Sequence, residues 1–178
     1  EYPAGSFNFS AYRDYYYSFP ETQLWSAMFY RTDILEELEI DVPETWDDVY
    51  EILPILQEQN YEFCFNYGIG GIYPFLYQLD GSVYSKDGMY SALDSDVAYD
   101  AFIEYCDLYN KYNVPYASNF YMNFKMGSTP IGIADTNFYC QLKYSAPEIA
   151  DKWEMAPIPG HLKDDGTIDR SMGGALTS

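Results

Sequence analysis

The chain has 178 residues, 48% of them hydrophobic, which suits one domain with a sizeable core. Twenty-eight acidic residues against nine basic ones give a formal net charge of -19, which repels phosphate backbones and anionic lipid surfaces and disfavours nucleic acid as a partner. No apolar run reaches the ~20 residues of a membrane span, and the acids are spread along the chain as on a solvated surface.

Short strands alternate with amphipathic helices, the pattern of an α/β layer architecture. "LWSAMFY", residues 24 to 30, reads as a buried strand. "RTDILEELEI" follows as a short helix capped by Thr32 or Asp33, with Ile34, Leu35 and Leu38 facing inward. In "VPETWDDVYEIL", Thr45 caps a second helix, Asp47 and Asp48 complement its dipole, and Trp46, Val49, Leu53 and Leu56 recur at helical spacing. Pro54 within that pattern predicts a kink or a split.

"YEFCFNYGIGG" alternates and then breaks into glycines, giving a strand over 62 to 66 and a loop. "IYPFLYQLDG" predicts a helix from Tyr73, with Pro74 in its first turn and Gly81 closing it. From Asp94 to Asn113, Ala98, Phe102, Tyr105, Leu108 and Tyr112 form one apolar stripe, read as core. A strand over 129 to 134, a helix from about 137 to 145 and a strand over 153 to 156 complete the series.

Cys64, Cys106 and Cys140 are odd in number and lack CxxC or metal-ligand spacing. They read as small buried hydrophobes, with one disulfide left open and a zinc site disfavoured. His161, in "GHLKDDG", reads as a solvated loop histidine, and no Ser-His-Asp or Cys-His nucleophile is supported. The chain begins at "EYPAGSFNFS" without a signal peptide or initiator methionine and ends on the strand-like "SMGGALTS", as expected for a piece of a longer protein.

At "FNYGIGGIY" and at "GIADTNFY" a strand stops and a helix starts, with aromatics and amides at the junction. Ligands of open α/β sheets bind beside the carboxyl ends of strands, and helix starts offer unpaired amides. Both junctions are therefore expected to line one crevice. Gly68, Gly70 and Gly71 do not make a phosphate loop, since neither GxGxxG nor GxxxxGK[ST] is present. Asp135, Thr136 or Asn137 alternatively serves only to cap the next helix, with Tyr139 packed inside. The 21 tyrosines and 20% aromatic content exceed what an ordinary core requires. Such rings cover the C–H face of a pyranose while Asp, Asn and Gln bind its hydroxyls, which points to a neutral sugar.

The run "PETQLWSAMFYRTDILEELEIDVPETWDDV" resembles the signature of bacterial extracellular solute-binding proteins of family 1, the carbohydrate ABC transporter receptors. "FLYQLDGSVYSKDG", "ALDSDVAYDAFIEYCDLYNKYNVP", "FKMGSTPIGIADTNFYCQL" and "APEIADKWEMAPIPG" are similar to the rest of that family's second lobe, and "DGTIDRSMGGALTS" to the strand returning to the first. The resemblance runs from about residue 19 onward. It implies an α/β fold, one lobe of a two-lobed periplasmic-binding-protein-like architecture with a mixed sheet flanked by helices. Residues 1–26 would be a lead-in and hinge segment, 27–157 a C-terminal-type lobe, and 158–178 the return toward a missing N-terminal lobe.

The implied function is binding of an extracellular solute, an oligosaccharide, in an interlobe cleft and its delivery to ABC permease subunits, without catalysis, cofactor or metal. The parent protein would be a secreted lipoprotein on a Gram-positive bacterium. Candidate ligand residues are Gly71 and Tyr73 in the first junction, Asp135, Asn137 and Tyr139 in the second, Gln23 and Trp25 beside the hinge strand, and Arg170 at the rim. Trp25 reads equally as core, and Arg170 as a solvated loop arginine. "DTNFY" stands where the maltose-binding branch has a Gly-Pro-Trp-like turn, which leaves the sugar open.

A secreted carbohydrate-active hydrolase would need two carboxylates about 5 to 10 Å apart, for which Glu62 or Asp80 with Asp135 are conceivable pairs that no spacing selects. A calcium-dependent surface module built on "SKDGMYSALDSD" or "LKDDGTIDRS" lacks the ligand pattern of an EF-hand loop.

Overall fold

A four-stranded mixed sheet forms the centre of the molecule. The structure, a computed structural model, describes residue 7 and residues 10–13, 15–19, 22–65, 69–172 and 175–177. In spatial order its strands are β5 (Phe63–Cys64), β6 (Ile131–Asp135), β4 (Ser26–Arg31) and β7 (Trp153–Ala156). β5 and β6 run parallel, while β4 pairs antiparallel with both β6 and β7. This is the mixed sheet expected from the sequence.

Side chains alternate across β4, so one strand serves two cores. Met28 packs with Trp46, Val49, Leu53, Leu56, Phe75, Leu76 and Leu108, whereas Ala27 and Phe29 pack with Phe124, Phe138 and Leu142. The first set comes largely from α2 (Trp46–Glu58), α3 (Tyr73–Gln78) and α4 (Asp96–Asn110), and the second from α5 (Phe120–Met126) and α6 (Thr136–Ser145). Helices therefore cover both faces of the sheet. Met28 and Phe29 have no exposed surface, and each buried side chain of that size contributes roughly 1.5–3 kcal/mol of transfer free energy.

Local chemistry explains the helix ends. In α2, Thr45 accepts from the amide of Asp48, and the Asp48 carboxylate accepts from the amide of Thr45, a complete capping box. Its apolar positions Trp46, Val49, Leu53 and Leu56 are all buried. Pro54 does not split the helix; it lies on the exposed face, where water can reach the carbonyl that loses its donor. α1 (Thr32–Glu37) begins one residue earlier than expected, with Arg31 at the cap position. Neither Thr32 nor Asp33 is the cap: the Asp33 carboxylate instead takes two hydrogen bonds from the Arg31 guanidinium, at 2.8 and 2.7 Å. Arg31 also donates to the carbonyl of Phe124 at 3.0 Å, tying the end of β4 to α5.

Closure of α3 falls to Asp80 rather than Gly81. Asp80 takes the left-handed conformation (φ 62°), and the amides of Asp80 and Gly81 donate back to Tyr77 and Leu76. Gly81 is needed for close approach, since a Cβ there would sit 2.5 Å from a Leu76 methyl. In α4 the buried stripe is Ala98, Ala101, Tyr105 and Leu108, while Phe102 is 51% exposed, so the inward line runs through Ala101 and not Phe102. α5 has no counterpart in the sequence reading. It is capped by Asn119, whose side chain accepts from the Met122 amide, and it ends at Gly127 with φ 88°.

Outside the sheet, β1 (Ala11–Tyr12) pairs with β2 (Tyr15–Tyr16), and β8 (His161–Leu162) with β9 (Ile168–Asp169). β3 (Thr22–Leu24) pairs antiparallel with β10 (Ala175–Thr177), which sets the segment that enters β4 beside the segment that follows the β8–β9 hairpin. All three cysteines are free, Cys140 exposed and the others half-buried, so the disulfide left open by the sequence is not formed. His161 is no solvated loop residue: its ring is held between Gln78 and Glu104. No helix among the described residues is long and apolar enough to cross a membrane.

Candidate functional site

β5 and β6 are parallel, so each delivers its carboxyl end toward the same rim of the sheet, β6 running on past the last paired residue of β5. A cleft of about 530 Å³ opens there. Its floor is made by Ile133, Ala134 and Asp135 of β6, Cys64 and Phe65 at the end of β5, and Ser26, which pairs with Asp135 across the sheet. Gly70, Gly71 and Pro74 form one wall, from a 3-10 turn over Ile69–Ile72 running into α3. The opposite wall is the first turns of α6 (Asn137, Phe138, Gln141), with Tyr116, Ala117 and Ser118 ahead of Phe120 and Tyr121 of α5. Both strand-to-helix junctions singled out in the sequence thus meet in one crevice.

Gly71, Asp135 and Asn137 are brought together. Asp135 also does the capping work: its Oδ1 accepts from the Asn137 amide at 2.9 Å, and the Thr136 amide donates to the carbonyl of Trp25 at 3.1 Å. The capping and cleft-lining readings of this residue therefore hold at once. Trp25 is 43% exposed and lies between β3 and β4, outside the cleft lining. The backbone of Gln23 sits in β3 opposite Leu176, and its side chain lies outside the described residues.

Three other candidates sit elsewhere. Tyr73 faces along α3 onto Tyr77, with rings 5.9 Å apart, while its neighbour Pro74 lines the cleft. Tyr139 projects from the far side of α6, edge-on to Trp153 at 5.8 Å, with Lys143 over its ring, in a separate shallow groove. The expected packing of Tyr139 inside also fails, since it is 38% exposed. One residue of helix is a 100° rotation, so Asn137 and Gln141, four apart, share the cleft face and Tyr139 cannot. Arg170 reaches Glu44, within 3.4 Å of its carboxylate, away from the cleft.

Phe65, Tyr116, Ser118, Phe120, Tyr121 and Gln141 also line the cleft and were not singled out in the sequence. Asn119 before an aromatic run and Gly127 after it were the available signals of the helix that carries two of them. Phe120 stacks on Phe138 at 4.5 Å, giving a rigid aromatic wall, and Tyr116 stands 69% exposed at the rim. Burial, with a smaller push from Glu62, raises the Cys64 thiol to about 12, so it remains protonated and unreactive.

Among the described lining residues Asp135 is the one carboxylate, and no Lys, Arg or His is present. Hydroxyls and amides are set against aromatic carbon, a lining suited to a neutral polar ligand. The acids weighed for hydrolysis are used elsewhere: Glu62 accepts from Thr129 Oγ1, and Asp80 pairs with Lys163 at 2.8 Å. The acidic loops fold as turns. Asp87 accepts from Ser85 and the Met89 amide, and Asp165 accepts from both the amide and the hydroxyl of Thr167. Among the described residues no three His, Cys, Asp or Glu side chains gather as metal ligands.

A family model described as bacterial extracellular solute-binding protein matches residues 1–175. Comparison with curated protein sequences gave no match. Solved structures similar in fold include the maltose-bound MalE3 of T. maritima, with a TM-score of 0.74 and 21% identity over 89% of this chain and 44% of that one. The sugar-binding protein MalE of Xanthomonas citri gives a TM-score of 0.73 and 18% identity, covering 97% of this chain and 46% of its own. An ABC transporter solute-binding protein of Thermotoga lettingae, bound with alpha-D-tagatose, gives 0.72 and 21%, covering 96% and 46%. The chain spans less than half the length of each of these structures, which at such identities share its fold.

Proposed function

Because the chain belongs to the bacterial extracellular solute-binding protein family, we propose that it is one lobe of a two-lobed receptor that binds an oligosaccharide and hands it to an ABC transporter permease. The observation that carries this reading is the lining of the cleft: aromatic faces, hydroxyls and amides with a single carboxylate and no cation among the described lining residues. A neutral sugar matches that lining, whereas an anionic solute would face Asp135 and a chain of net charge -19. The structures of similar fold solved with bound maltose or alpha-D-tagatose support the same class of ligand.

In this reading Asp135, Asn137 and Gln141 bind hydroxyls, Gly71 lets the ligand approach the backbone, and Phe65 and Tyr116 cover C–H faces. A missing N-terminal lobe supplies the other wall. Residues 1–26 and 158–178 lead into and out of the lobe formed by 27–157, and β3 paired with β10 is the hinge, with Gln23 and Trp25 beside it. Closure of the lobes, not chemistry, is what the permease senses. The full-length protein is a lipoprotein outside a Gram-positive membrane.

The test is a thermal-shift screen of the full-length protein against mono- and oligosaccharides. A sugar at one hundred times its Kd stabilises the fold by about 2.7 kcal/mol. Asn137→Ala should abolish the shift, and Tyr139→Ala, on the other face of α6, should retain it. A shift with peptides and none with any sugar would overturn the sugar reading while leaving the family intact.

A further inference from the structure

On the floor of the cleft, the register of β4 against β6 sets two polar side chains next to each other. The strands run antiparallel, with Met28 opposite Ile133 and Ser26 opposite Asp135. Side chains alternate along a strand, so all four stand on one face of the sheet. Met28 and Ile133 belong to the buried core that also holds Phe65, whereas Ser26 and Asp135, two residues further along each strand, line the cleft. The row turns from apolar to polar where the core gives way to the crevice.

The ladder's hydrogen bonds show how close the two polar side chains are. The Thr136 amide donates to the Trp25 carbonyl at 3.1 Å, and at the other end of the ladder the Arg31 amide donates to the Pro130 carbonyl at 2.7 Å. The bonds therefore join the residues that flank Ser26 and Asp135. That makes the two a non-hydrogen-bonded pair, the narrower kind, with Cα atoms about 4.5 Å apart. The Cβ atoms of such a pair stand about 4.5–5.5 Å apart. Asp135 Oδ1 accepts from the Asn137 amide at 2.9 Å, which restrains the carboxylate. Neither Asp135 Oδ2 nor the Ser26 hydroxyl has a hydrogen-bond partner among the described residues.

A carboxylate oxygen only accepts, so the ligand atom that meets Oδ2 must donate, while a serine hydroxyl both donates and accepts. Two hydroxyls on neighbouring carbons meet both demands, one giving its proton to Asp135 and the other bonding Ser26. Phe65 and Ile133 line the same cleft and offer apolar surface to the C–H groups beside those hydroxyls. We propose that Ser26 is a ligand-binding residue and that Ser26 and Asp135 together read a vicinal diol. A ligand lacking either hydroxyl leaves one of the pair without a partner when the cleft closes, so the two residues select among hydroxyl patterns. This rests on the cleft being a sugar site and narrows what it recognises. A pyranose ring and an acyclic polyol both carry such a diol.

The test is calorimetric titration of the full-length protein with methyl hexopyranosides, their disaccharides and hexitols, then with the monodeoxy analogues of the tightest binder. Ser26→Ala should weaken binding roughly 3- to 10-fold, the worth of one neutral hydrogen bond, and Asp135→Asn roughly 10- to 100-fold. Asparagine still accepts from the Asn137 amide, so the cap of α6 is kept. Removing the hydroxyl that faces Ser26 should cost the unaltered chain the same factor as Ser26→Ala does, and should cost that variant nothing further. The hydroxyl whose loss costs Asp135→Asn least should sit on the adjacent carbon.

Every analogue losing as much affinity for Ser26→Ala as for the unaltered chain would overturn the proposal and leave the sugar site standing. Coupled hydroxyls on carbons that are not adjacent would do the same. A protein that binds no pyranoside and no hexitol would overturn both. Tightest binding by a hexitol, with the same coupling, would support the pair and give it an acyclic ligand. Melting of Ser26→Ala without ligand should match that of the unaltered chain, which separates lost affinity from lost fold. Should Asp135→Asn fail to fold, the Ser26→Ala cycle decides alone.

Discussion

Gly132 in β6 lies directly against Cys64 in β5: a Cβ on Gly132 would sit 2.7 Å from the Cys64 Cβ and 2.7 Å from its carbonyl oxygen. The same atom would meet the Phe120 ring at 2.8 Å. Two of these contacts are with rigidly held groups, so the neighbours cannot swing aside. Gly132→Ala is expected to destabilise the fold by roughly 1–3 kcal/mol through overpacking. Because Cys64 and Phe120 both line the cleft, the variant should also weaken ligand binding. Urea unfolding measures the first effect, and a midpoint equal to that of the unaltered chain would show that β5 and β6 can part at no cost.

The capping box of α2 gives a smaller and cleaner effect. Thr45→Ala removes the acceptor for the Asp48 amide, and a loss of about 1 kcal/mol is expected. Asp48 itself is held below the usual carboxylate range; burial alone would raise it, but the bonds from Thr45 and from the Thr45 and Glu44 amides outweigh that. Thermal melts of Thr45→Ala and Thr45→Ser separate the cap from other consequences, since serine should restore most of the stability.

Acid should release the Arg31–Asp33 pair. The hydrogen bonds from Arg31 hold the Asp33 carboxyl below its usual value, against burial that pushes the other way. A carboxylate lowered in the folded state contributes stability that is fully present above the unfolded value of about 3.9 and is lost as pH falls through the folded one. Asp33→Asn should therefore cost stability at neutral pH, and the gap to the unaltered chain should close as the pH is taken down from 5 toward 3. A gap independent of pH over that range would mean that the pair is not the source of the effect.

Thiol labelling checks the placement of the cysteines. Cys140 is exposed, whereas Cys64 is half-buried with its thiol pushed up to about 12. At pH 8 that leaves Cys64 with roughly a thousandth of the thiolate of an ordinary cysteine. An alkylating reagent should modify Cys140 promptly and Cys64 only on unfolding, as mass spectrometry of the digested chain would show. Rapid labelling of Cys64 in the native chain would contradict the closed packing at the end of β5.

The α/β class, the second helix with its cap, and the two strand-to-helix junctions were all legible in the residues. Each rests on local chemistry: Thr45 with Asp48, the period of Trp46, Val49, Leu53 and Leu56, and the glycines after Phe65. The resemblance of "FYRTDILEELEIDVPETWDDV" to the solute-binding family was legible for the same reason, since a signature is a local pattern. Short elements were harder. α5 has no helical period in its seven residues, and their division between a buried Phe124 and an exposed Met126 depends on where the sheet lies.

What the sequence determined by itself is that an acidic, tyrosine-rich α/β chain places polar and aromatic residues where strands end, because capping, turn chemistry and hydrophobic period act over a few residues. Which of those residues face one another was decided only by the tertiary structure. Asn137 and Tyr139 are two apart in sequence, yet the rotation of α6 puts one in the cleft and the other against Trp153. His161 reads as a loop residue until Gln78, 83 positions earlier, and Glu104, 57 positions earlier, are brought to its ring. Direction around a helix axis and contact across long separations are set by how the layers pack, and no short window of residues contains that information.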